Sequence, residues 1–186
     1  MPLIEWAASN AERFLAPLGN RWLHVQQVAE CARRIAYVVP AEDRDLLVAA
    51  AYLHDVGYAP VLAVTGFHPL DGARWVESQG PNGRLACLVA YHSCATYEAR
   101  VRGFLDVLLA EFKAEESVTY DALVYCDMTT GPDGKIVSFA ERVRDIYDRY
   151  GPDHEVSRAL DSSHLCLAAC CERTVARLLE YAVQPI

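Results

Sequence analysis

The sequence predicts an all-α fold, a compact single-domain helical bundle. Apolar residues recur at helical spacing along almost the whole chain, no segment alternates like a half-buried strand, and Gly, Pro or Ser interrupts the pattern at short intervals. A chain of 186 residues, 53% hydrophobic and 23% charged, can bury one core, and with neither a linker nor a repeat a single domain over 1–186 is expected.

The first helix, over 4–15, stops at Pro17 and Gly19. The second runs over 20–39, with Val25, Val28, Ala32, Ile35 and Val39 on one face, Asn20 as its cap and Pro40 as its stop. The third starts near Ala41, with Glu42 and Asp43 in the first turn, where the helix dipole favours acids. It carries Leu46, Leu47, Ala50, Ala51 and His54 and ends at Gly57 and Pro60. Further helices are expected over 69–77, 85–92, 100–113 and 118–128. Gly131-Pro132-Asp133-Gly134 is a turn, Ser138 and Glu141 make a capping box, and the helix they open ends at Gly151-Pro152. Two more segments, 153–160 and 163–183, pack on this core, giving about nine helices in all.

A formal charge of −8 and a pI near 5.2 exclude a protein that coats a long nucleic acid. The seven cysteines are odd in number and contain no Cys-x-x-Cys pair, which argues against a disulfide framework or a zinc ribbon. Cys166, Cys170 and Cys171 lie at helical spacing among Leu and Ala and read as small buried hydrophobes. The N-terminal segment contains Glu5, Glu12 and Arg13 and lacks a signal-peptide pattern, and the apolar run 46–53 falls far short of a membrane span of ~20 residues. A cytoplasmic protein without membrane contact is the expectation.

The informative residues are polar ones on apolar faces. His54 follows Leu47, Ala50 and Ala51; His92 follows Leu85, Leu88 and Val89; His24 precedes Val28; and Asp127 follows Leu123 and Val124. A buried charge is costly unless it is paired or bound to metal, and imidazole with carboxylate suits zinc, iron or manganese. The pair His54-Asp55 ends an apolar helix just before Gly57, where both side chains can face one cavity.

The order His24, His54-Asp55, Asp127 resembles the signature of the HD superfamily of metal-dependent phosphohydrolases, which are all-helical. His68, in Gly66-Phe67-His68-Pro69-Leu70-Asp71-Gly72, and His92, in Ala90-Tyr91-His92-Ser93, resemble the two extra histidines of its binuclear members. The resemblance places the metal-site core at about 21–142 and implies two divalent transition-metal ions, Fe, Mn or Zn. It implies that His24, His54, Asp55 and Asp127 hold one ion, with Asp55 bridging to a second on His68 and His92, and His54 and Asp55 as the catalytic dyad. The implied reaction is attack of metal-bound hydroxide on a nucleotide or other small phosphoester.

Many members carry a lysine after the dyad, whereas this chain reads His54-Asp55-Val56-Gly57-Tyr58, without a charge there. The Gly-Tyr-Pro extension of the cyclic-dinucleotide subfamily is absent, Gly57-Tyr58-Ala59-Pro60 being only an echo of it. Lys135 and Arg142 are therefore the candidates for the phosphate clamp, although each also reads as a surface charge. Tyr58, Phe67, Tyr91, Tyr97 and Tyr125 could stack a base, but packing is the commoner use of such residues. Cys126, beside Asp127, faces another side of its helix and is not a ligand.

Two other readings stand beside this one. The same ligands serve mixed-valent di-iron oxygenases of this fold, which cleave a carbon bond with dioxygen, and the metal and its redox state would separate the two. A noncatalytic metal-stabilised module would be favoured by a lost ligand, and none is lost. A homodimer through an exposed face such as 100–113 is compatible with the sequence.

Overall fold

The computed structural model describes residues 1–80 and 83–183, leaving residues 81–82 and 184–186 of the expected domain outside the described residues. The described residues form ten α-helices joined by short 3-10 turns, with a lone bridge between Thr130 and Ile136 as the extended pairing. The helices are α1 (Leu3–Leu15), α2 (Asn20–Ile35), α3 (Arg44–Leu53), α4 (His68–Ser78), α5 (Gly83–Tyr91), α6 (Ala95–Arg102), α7 (Leu105–Glu111), α8 (Val118–Met128), α9 (Phe139–Tyr150) and α10 (Glu155–Val183). No helix among them is long and apolar enough to cross a membrane.

α3 is the axis of the molecule, because its residues Leu46 to Ala51 and Leu53 are all buried. Helices α1, α2, α5 and α8 pack around it, and its small Ala49, Ala50 and Ala51 admit their close approach. A second cluster forms where α8, α9 and α10 meet, around Val124, Met128, Ile146, Leu160 and Leu167. The cavity described below lies between the two clusters.

Several expected boundaries move. α2 ends at Ile35, and residues 36–38 form a 3-10 turn before Pro40. Gly19 takes the N-cap position and Asn20 is already helical, so Asn20 does not cap. The expected helix over 100–113 is two helices, because Gly103, at φ +77°, closes α6 in the left-handed conformation that glycine adopts without strain. Conversely, the two expected C-terminal segments fuse into α10. The Ser162 and Ser163 hydroxyls donate to the carbonyls of Arg158 and Leu160, so serines that could have ended a helix are accommodated within one. The capping box is present, with the Glu141 amide donating to Ser138 Oγ and the Ser138 amide to Glu141 Oε2.

Two features brace the chain beside His68 and His92. The buried Asp71 carboxylate of α4 accepts the amides of Val64, Thr65 and Gly66 at 3.0–3.1 Å and the Thr65 hydroxyl at 2.9 Å, fastening the loop that leads into His68. Asp71→Ala strands three amides, and an expected loss of about 3 kcal/mol is checked by urea unfolding. After α5 the chain turns sharply through Ser93 and Cys94, both left-handed at φ 51° and 55°. That conformation costs a non-glycine residue about 1–2 kcal/mol. Here the Ser93 hydroxyl is held by Asp127 and the Cys94 amide by Tyr120 Oη, which keeps the turn in place.

Candidate metal centre

Five helices or their ends deliver six polar side chains to one point. His24 comes from the buried face of α2, His54 and Asp55 from the end of α3, His68 from the first residue of α4, His92 from the turn after α5 and Asp127 from the last turn of α8. His24, His54, Asp55, His92 and Asp127 are all buried, and His68 is nearly so.

The backbone fixes the tautomer of three rings. His24 Nδ1 lies 3.1 Å from Gly131 O, His54 Nδ1 2.8 Å from Ala51 O and His92 Nδ1 2.6 Å from Val89 O. A carbonyl can only accept, so each Nδ1 carries the proton, and in the neutral ring each Nε2 is a bare lone pair. Those lone pairs face other acceptors. His24 Nε2 is 3.1 Å from Asp127 Oδ1, and His54 Nε2 is 3.4 Å from Asp55 Oδ2. Neither nitrogen has a hydrogen-bond partner although both are buried.

Asp55 divides the cluster. Its Oδ2 faces His54 and, at 3.9 Å, His24, while its Oδ1 lies 3.4 Å from His68 Nε2 and 3.9 Å from His92 Nε2. The two latter nitrogens are 3.1 Å apart. Ligands held ~2.1 Å from a common ion stand about 3.0–3.4 Å from one another, so these spacings are those of a coordination shell. Two groups result, His24–His54–Asp127 and Asp55–His68–His92, each with its donor atoms within 4.8 Å of one another.

The electrostatics ask for positive charge. Burial opposes a charge on His54, yet Asp55 and Asp127 outweigh it and raise its pKa. Burial, with neighbouring positive groups, holds His68 well below the usual histidine range and lowers His92 too. Burial also works against both carboxylates, but Arg21 and His54 hold Asp55, and His24 and His54 hold Asp127, well below the ordinary carboxylate range. Orphaned lone pairs and ionised carboxylates converging at a buried point fit metal cations.

The cavity over the cluster has a volume of about 120 Å³ and is lined by Arg21, Tyr58, Glu98, Arg142, Arg149 and Tyr150 besides Asp55, His68, His92 and Asp127 of the cluster. Arg142 is buried and reaches to 3.6 Å from Asp127 Oδ1. Lys135 is a correction: its side chain is 79% exposed, pairs with Asp133 at 2.5 Å and is not among the residues lining the cavity. The turn that carries Lys135 bends back at Gly134, which packs on the Leu23 carbonyl, and leaves the lysine outside.

Arg21 was not singled out from the sequence. Its Nη1 lies 2.6 Å from Asp55 Oδ2, and its guanidinium sits 4.0 Å above the Tyr58 ring, which in turn stacks on His68 at 3.9 Å. The available signal was its spacing, since Arg21 precedes His24 by one helical turn and shares its face. Of the five aromatic residues near the ligands in sequence, Tyr58 alone lines the cavity; Phe67 stacks on Phe104, and Tyr91 bonds the Phe112 carbonyl. Cys126 is buried away from the cluster.

The chain matches the family model described as HD domain over residues 21–125. Five of the six residues of the His/Asp cluster fall within that span, and Asp127 lies just beyond it. No curated protein and no solved structure matches the chain.

Proposed function

The chain belongs to the HD-domain family, and from that premise, with its His/Asp cluster, we propose that it is a metal-dependent phosphohydrolase of a small phosphorylated substrate. The observation that carries the reading is the set of bare, buried imidazole nitrogens facing carboxylate oxygens, an arrangement that is repulsive without cations among them. His24, His54 and Asp127 would hold one ion and His68 and His92 the other, with one oxygen of Asp55 toward each pair. When bound, such a pair of ions lowers the pKa of water to about 7 and stabilises charge on phosphoryl oxygens.

The protein supplies orientation and further donors. Arg21, Arg142 and Arg149 line the cavity with fixed guanidinium groups suited to phosphate oxygens. Burial, reinforced by Asp55, keeps the Tyr58 phenol protonated, so it can donate. The three arginines are matched by Asp55, Glu98 and Asp127, so the positive excess that draws an anion comes with the metal. The cavity over the cluster has room for a phosphoryl group. The seven unpaired thiols suit a reducing, cytoplasmic setting.

The test is elemental analysis of protein purified without chelator, followed by phosphate release from a panel of small phosphoesters and nucleotides. Two ions per chain with phosphate release supports the proposal. Iron with dioxygen consumption and no phosphate release would overturn it, as would a chain without bound metal. His68→Ala and His92→Ala should each lower the metal content from two ions toward one while circular dichroism stays helical. Arg21→Ala should lower kcat/KM about 10- to 100-fold, the worth of a charged hydrogen bond, and Arg21→Lys should not restore it because the planar fork is lost. Lys135→Ala should leave both constants unchanged.

A further inference from the structure

Away from the His/Asp cluster, three thiols meet. Cys166 and Cys170 lie one turn apart on α10, Cys94 comes from the left-handed turn after α5, and their three Sγ atoms lie within 4.8 Å of one another. We propose that they form a second metal site, a three-thiolate seat for a divalent ion of the zinc type. A zinc–sulfur bond of ~2.3 Å places tetrahedral sulfurs about 3.8 Å apart, so each thiol needs to move by less than about 1 Å. A disulfide would use two of the three and leave the proximity of the third unexplained.

The surroundings fit that charge. Arg173 Nη2 approaches Cys170 Sγ at 3.3 Å, and Arg173 and Arg177 both pair with Asp121, leaving one net positive charge beside the cluster. Three thiolates with a divalent ion carry one net negative charge, which that surplus balances, whereas with a monovalent ion one negative charge would stay uncompensated. Cys94 and Cys170 are buried, but Cys166 is half-buried and all three border a surface groove, so an ion can enter and a fourth position can face solvent. The ion would tie α10 to the Ser93–Cys94 turn, next to His92.

Cadmium(II) titrated into the reduced full-length protein tests this, read by the ultraviolet thiolate-to-cadmium charge-transfer absorption that imidazole and carboxylate ligands do not give. The expected result is a band saturating at one ion per chain, nearly abolished in Cys166→Ser and unchanged in Cys87→Ser, a thiol outside the cluster. No band in the wild-type protein, or a band that survives Cys166→Ser, overturns the proposal. So does loss of two thiols to a disulfide in air with no band after reduction, which would assign the cluster to redox chemistry. None of these readings depends on phosphate release.

Discussion

Asp55→Ala is expected to reduce turnover by about 1,000-fold or more and to strip metal from both positions, with the helical fold retained. The reason is geometric: each carboxylate oxygen of Asp55 faces a different histidine pair, so one truncation takes an oxygen away from both pairs. The ions supply several kcal/mol of transition-state charge stabilisation, and at about 1.4 kcal/mol per tenfold a loss of three or more decades follows. The variant is read by metal content per chain, phosphate release and circular dichroism on one preparation. Full metal occupancy with full turnover would sink the assignment. Asp55 has the central place because its carboxylate also accepts Arg21, so the truncation removes the partner that holds the guanidinium over Tyr58, whose ring stacks on His68.

Gly57→Ala should be the most damaging substitution at a residue that contacts no ligand atom. A Cβ there would lie 2.1 Å from His68 O, 2.6 Å from Gly72 N and 2.9 Å from His68 C, all of them backbone atoms that no rotamer change can move. Gly72 faces it, its own Cβ position 3.0 Å from Gly57 N, so the turn after the dyad and the first turns of α4 touch backbone to backbone. To accept the methyl group, α4 must shift and carry His68 away from Asp55. An expected cost of about 3 kcal/mol or more corresponds to a fall of about 10 °C in Tm for a chain of this length. Metal content should fall with it. Gly83→Ala, where an added Cβ meets nothing within 4 Å, is the control and should shift stability by no more than about 0.5 kcal/mol.

The His/Asp cluster was legible because a buried face tolerates few polar residues: His24, His54, His92 and Asp127 each interrupt an apolar helical stripe. The phosphate-binding candidates were less so, since an arginine in sequence reads as solvated whichever way it points. Arg142 turned inward and Lys135 outward although both follow Asp127 closely. Gly103 is a visible breaker inside the expected helix over 100–113, whereas nothing local announces that Ser162 and Ser163 are helical. The left-handed pair Ser93 and Cys94 has no signature at all, because tertiary bonds to Asp127 and Tyr120 hold it. The thiol cluster was half visible: Cys166 and Cys170 share a helical face, but Cys94 joins them only through the fold.

The bond from His24 to the Gly131 carbonyl spans 107 residues and sets an order of events during synthesis. α2 leaves the ribosome early, but the carbonyl that fixes its imidazole, and the Asp127 carboxylate opposite, emerge only after about 5–20 s more of elongation. A nascent chain therefore exposes histidines long before it can orient them, and assembly of the His/Asp cluster becomes a late step, completed when α8 and its following turn dock on α2.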